Sequence, residues 1–89
     1  MSHAVADCFR IKDRGYIREG YFADMVMVDM NLPTTVSKEN ILYKCGWSPL
    51  EGFSFPATIT NTFVNGTMVY GNGIWDESIK GQRLKFDPL

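Results

Sequence analysis

Thr58-Ile59-Thr60-Asn61-Thr62-Phe63-Val64-Asn65-Gly66-Thr67-Met68-Val69-Tyr70 consists of two β-branched and aromatic runs joined by Asn-Gly. Asn-Gly accepts positive φ at both central positions of a type I′ turn, the turn whose twist matches that of paired strands. The stretch therefore predicts a β-hairpin. Just downstream, Gly71-Asn72-Gly73 breaks the second strand and Ile74-Trp75 begins a further short one. Beyond Asp76 the charges Lys80, Arg83 and Lys85 alternate irregularly with Ile79, Leu84 and Phe86, which predicts a loosely held tail over 77–89.

Working upstream, Ala23-Asp24-Met25-Val26-Met27-Val28-Asp29-Met30 is an apolar run punctuated by aspartates. A run of this length with alternate β-branching fits a strand buried on both faces. Methionine also forms helices, but Gly20 before and Pro33 after leave too little room for one. Ser2 to Phe9 carries good helix formers with Ser2 as a candidate N-cap, and predicts a brief helix within residues 1–12. Asp13-Arg14-Gly15 and Glu19-Gly20 supply turns, with Tyr16-Ile17 a short strand between them. Thr34-Thr35-Val36 is short and β-branched. Ser37 then starts one helical turn through Leu42, with Ile41, Leu42 and Tyr43 expected to pack inward. Two glycines and a proline make Cys45 to Gly52 an ordered loop. Residues 13–76 thus form one mainly β unit behind a short helix.

A chain of 89 residues makes one small domain that buries only about 60–65% of its unfolded surface. Its hydrophobic content of 45% is high enough that disorder throughout the chain is excluded. A net charge of −1 removes the electrostatic case for a nucleic-acid partner, which needs a concentrated cationic surface. The longest apolar run, Met25 to Val28, is far short of the roughly 20 residues that span a bilayer, so no membrane partner is expected. Cys8 and Cys45 make no disulfide framework and no signal sequence opens the chain; the expected compartment is the reducing cytoplasm.

Groups able to do chemistry are sparse. Metal sites need several converging His, Cys, Asp or Glu ligands, and neither His-x-His nor Cys-x-x-Cys occurs. His3, the one histidine, shares a helix face with Cys8 only poorly, and reads as a solvated terminal residue. Asp24 and Asp29 fall on opposite faces of their strand, too far apart to act as an acid–base pair, and instead suit bonding to turn N–H groups. Cys45 has no histidine near in sequence to form a thiolate, and reads as a small buried apolar residue. Trp47, Phe53 and Phe55 read as core or inter-domain contacts. Gly71-x-Gly73 lacks the third glycine of a dinucleotide loop and is a turn. Hence no catalytic, cofactor-binding or metal-ligating residue is expected in this chain.

Gly20-Tyr21-Phe22-Ala23-Asp24-Met25-Val26-Met27-Val28-Asp29 resembles, without a gap, a signature near the C-terminus of the amidohydrolase superfamily, which includes hydantoinases, allantoinases, dihydropyrimidinases and dihydroorotases. Lys44-Cys45-Gly46-Trp47-Ser48-Pro49-Leu50-Glu51-Gly52, followed by Thr62-Phe63-Val64-Asn65-Gly66 and Val69-Tyr70, resembles the C-terminal region of dihydroorotases in particular. The similarity runs from about Gly15 to Phe86, while Ala4-Val5-Ala6-Asp7 departs from the Asn-Pro-Ala common after the last barrel strand. The resemblance implies a partial β-sandwich without its catalytic barrel. It also implies a parent zinc hydrolase of pyrimidine biosynthesis, whose zinc ligands have no counterparts here. Its expected partners are the missing barrel and N-terminal strands, with Trp47 and Pro49 holding the sandwich against the barrel. Such a segment leaves strand edges and an apolar face open, so self-association is expected. A self-standing β-domain that binds a protein partner, and the equivalent segment of a hydantoinase or allantoinase, are the alternatives.

Overall fold

A computed structural model describes residues 1–88. Among the described residues it is mainly β, with one short N-terminal helix and no closed barrel, as the sequence leads one to expect. The helix α1 spans Ser2–Phe9. The strands are β1 (Met25–Asp29), β2 (Thr34–Thr35), β3 (Ser54–Phe55), β4 (Thr58–Val64), β5 (Thr67–Gly71) and β6 (Ile74–Trp75). Met1, not Ser2, stands at the N-cap, and Arg10 closes the helix in the left-handed region at φ 53°. Tyr16-Ile17 is not a strand: Tyr16 lies in a bend, committed to side-chain contacts with the helix, and no ladder forms there.

The chain divides into two compact units, Met1–Met27 with the chain from Thr60 onward, and Val28–Ile59. A four-stranded sheet has the order β1-β4-β5-β6. The hairpin β4–β5 closes between Val64 and Thr67. Asn65 at φ 51° and Gly66 at φ 82° occupy its two central positions, the pair of positive values a type I′ turn demands. Thr62 faces Tyr70 while Phe63 faces Met68, so Val69 is the extra residue of a β-bulge, which locally increases twist. The Gly66 N–H donates to the Ala23 carbonyl at 3.0 Å and the Thr60 hydroxyl to the Met27 carbonyl at 3.3 Å, so β1 runs antiparallel to β4. Residue 86 bridges residue 11, flanked by Lys12 N–H to Lys85 carbonyl at 2.8 Å and Asp87 N–H to Arg10 carbonyl at 2.9 Å. The rest of the tail is irregular apart from a turn in which Asp76 accepts from the Ser78 N–H at 3.0 Å.

In the second unit β2 and β3 pair antiparallel, Thr34 opposite Phe55 and Thr35 opposite Ser54. The expected helical turn after Ser37 is a single 3₁₀ turn over Lys38–Asn40. Asn40 holds it from both sides: its Oδ1 accepts from the Ser37 N–H at 3.0 Å and its Nδ2 donates to the Thr35 carbonyl at 2.8 Å. The Thr58 hydroxyl donates to the Leu32 carbonyl at 2.6 Å and contacts the Thr34 hydroxyl. Cys45–Gly52 is a succession of turns, as its glycines and proline predict.

Burial departs most from the sequence reading. Among the described residues only Ala6 is buried, at 5% exposure. Strand β1 forms where predicted but is open on both faces, with Met25 36%, Val26 55%, Met27 54% and Val28 45% exposed. Leu42 and Tyr43 point outward instead of into a core, and Cys45, Trp47, Phe53 and Phe55 are exposed too. Apolar patterning reports which surface is meant to be covered; it does not say whether the covering partner lies in the same stretch of chain.

Candidate functional site

The elements converge on one side of the first unit, where α1 docks on the turn 13–24. Ala6 packs on Gly15: a Cβ built there would lie 2.5 Å from the Ala6 Cβ and 3.0 Å from the Ser2 carbonyl oxygen. His3 stacks on Tyr16 with ring centroids 4.6 Å apart, and its Nδ1 lies 2.6 Å from the Gly15 carbonyl oxygen. The Tyr16 hydroxyl donates to Asp7 at 2.6 Å, and the Arg18 guanidinium lies 4.0 Å above the Tyr16 ring. The bond to Asp7, with smaller contributions from desolvation and the Asp7 charge, raises the Tyr16 pKa above the ordinary phenol value. His3 is exposed, as expected, but it is a fastener of the helix as well.

A second knot ties this turn to the hairpin. Asp24 accepts from the Asn65 N–H at 2.8 Å and forms an ion pair with Arg14. The Arg14 guanidinium sits 4.1 Å over the Phe22 ring. Asp29 accepts from the Asn31 N–H at 2.9 Å. Both aspartates therefore bond turn N–H groups in the manner their positions suggest.

Between α1 and β1 lies an open depression of about 540 Å³ lined by His3, Tyr16, Phe22, Met25, Val26 and Phe63, among others. Its titratable walls are already occupied, His3 by the Gly15 carbonyl and Asp24 by Arg14 and Asn65. Of the side chains lining it, Tyr16 has its hydroxyl hydrogen-bonded to the Asp7 carboxylate, a bond that fastens the helix to the turn. Among the described residues no three His, Cys, Asp or Glu side chains group to hold a metal ion. The residues present do not fit the zinc pair implied for a parent enzyme. The arrangement presents exposed apolar side chains along β1 and a strand edge. Among the described residues the order β1-β4-β5-β6 leaves the outer side of β1 without a neighbouring strand. Among the described residues no helix is long and apolar enough to cross a membrane.

No protein-family model matches the chain. Among curated proteins, an allantoinase of Desulfitobacterium hafniense is 38% identical over 69 residues, which cover 78% of this chain and 15% of that protein. A dihydroorotase of Pyrococcus horikoshii is 36% identical over 87 residues, covering 94% of this chain and 20% of that protein. The dihydroorotase of Pyrococcus abyssi is 38% identical over the same length, again 94% against 20%. The chain thus spans about a fifth or less of the length of these relatives. Both enzyme names occur among these relatives. The chain is homologous to part of the amidohydrolases that these enzymes represent, and it belongs among them as a segment.

Proposed function

We propose that this chain is a non-catalytic scaffold segment of a dihydroorotase, one portion of a β-sandwich that braces a catalytic barrel supplied by other sequence. The observation that carries this reading is β1: Met25 to Val28 are apolar, open on both faces and at a sheet edge. A strand of that composition is stable when covered on both sides. In this reading the barrel and further strands cover it, Trp47 and Pro49 belong to the contact with the barrel, and the zinc chemistry of pyrimidine biosynthesis takes place on the partner sequence. The long match to dihydroorotases supports this choice of parent.

Hydrolysis of dihydroorotate with added zinc tests the reading on this chain and on the product of the complete reading frame. Turnover is expected only from the latter, and turnover by this chain alone overturns the proposal. The similarity to an allantoinase favours one second reading, an allantoinase parent. Offering allantoin to the same two samples decides between them.

A further inference from the structure

The bridge between residues 11 and 86 has a consequence for charge. With Ile11 opposite Phe86, the antiparallel ladder sets Arg10 opposite Asp87 at one end and Lys12 opposite Lys85 at the other. The first pair is complementary. The second brings two like charges to facing positions beside this isolated bridge, where they repel each other. Lys12 and Lys85 line a depression of about 190 Å³ together with Arg14, Gln82 and Arg83. Arg14 is already engaged by Asp24 and Phe22. Asp13 is the one carboxylate in the lining. Among the described residues Arg14–Asp24 is the one ion pair, so Lys12, Arg83 and Lys85 line the depression unpaired and outnumber its single carboxylate, Asp13. Composition does not explain this concentration: four of the nine Lys and Arg residues gather here in a chain of net charge −1.

We propose that this depression binds a phosphate-type oxyanion, which bridges Lys12 and Lys85 and is contacted by Arg83 and the Gln82 amide. Two ammonium groups act as point charges without directional preference, and with a guanidinium they suit a compact, multiply charged tetrahedral anion better than one planar carboxylate. A bound anion turns the Lys12–Lys85 repulsion into two attractions. It thereby tightens the bridge that joins the tail to the end of the helix. The site is independent of the proposed scaffold role, since it lies among residues 12–14 and 82–85 and needs no barrel.

Thermal unfolding of the chain, titrated with inorganic phosphate and with sodium chloride at matched ionic strength, tests the proposal. At ten times its dissociation constant, phosphate is expected to raise the midpoint by roughly 5–10 °C over chloride. A parallel titration with glycerol 3-phosphate identifies the source: an equal shift means the free ion suffices, and a larger one means a phosphomonoester. Lys85→Glu supplies the missing counter-charge covalently, and is expected to raise the midpoint without phosphate and to abolish the phosphate response. Amide shifts at residues 12, 83 and 85 on phosphate addition give a second readout, and Lys12→Gln a second variant, should Lys85→Glu fail to fold. Equal effects of phosphate and chloride, with no localised amide shifts, would overturn the proposal.

Discussion

Gly15 carries two constraints at a single position. Its φ of +91° belongs to the region glycine occupies freely, and the space its missing side chain leaves is filled by Ala6, the one buried residue among those described. Gly15→Ala must therefore bear both left-handed strain and overlap with the helix. The expected loss is about 2–4 kcal/mol, measured by urea unfolding with helical dichroism as the probe. Tyr16, the next residue, makes the docking sensitive to alkali. Its bond to Asp7 raises the folded pKa above the ordinary value of 10.0, so the protonated phenol is the form the fold stabilises. That contribution is complete below the unfolded value and is lost as pH rises through the higher folded one. Unfolding midpoints measured from pH 9 upward should fall for the unaltered chain from about 10.0, and Tyr16→Phe should flatten that part of the fall. Neither the His3–Tyr16 stack nor the Ala6–Gly15 contact was legible in the sequence. Each joins residues brought together by tertiary docking, and neither leaves a periodic or motif-like trace.

Local chemistry decides the elements most cleanly where two residues suffice, as at Asn65-Gly66. Both positions take positive φ, and the hairpin, the following turn at Gly71-Asn72-Gly73 and the short strand β6 all fall where the sequence puts them. Gly71 is further constrained, since a Cβ there would meet Met68 Sδ at 3.0 Å and the Asn61 amide at 3.3 Å. The link from this hairpin to the turn before β1 runs through Asp24. A charged acceptor bonded to a backbone N–H contributes about 1.5–3 kcal/mol, whereas a partly exposed ion pair contributes about 0–1 kcal/mol. Asp24→Ala should therefore destabilise the chain by about 1.5–3 kcal/mol, against about 0–1 kcal/mol for Arg14→Met, which keeps the apolar stem over Phe22. Equal losses in a denaturant series would assign the stabilisation to the ion pair instead. The position of β1 was equally legible, but its burial was not. A run such as Met-Val-Met-Val encodes the need for cover on both faces without encoding where the cover comes from.

At the scale of the whole molecule, the two outer strands of the sheet are protected unequally. Strand β6 is only two residues long and follows a tight turn, and short edge strands resist pairing with other chains. Strand β1 has five residues, no proline, no lysine and no bulge to blunt it. It is also nearly self-complementary. In an antiparallel pair of two copies centred on Met27, Val26 faces Val28, Met25 faces Asp29, and Asp24 faces Met30. No aspartate then opposes another, and apolar side chains line both faces of the joined strands. In the complete protein this edge is covered, on the proposed reading, by sequence outside the chain; in isolation a second copy is the available substitute. Sedimentation velocity at roughly 100 μM, within the range where open edges associate, should therefore show dimers or larger species. Met27→Lys sets two ammonium groups against each other at the two-fold axis while leaving the β4 side of the strand paired, and should return the profile to monomer. A monomeric profile for the unaltered chain would mean that the β1 edge is not adhesive, and would remove the physical ground for reading this strand as one awaiting a partner.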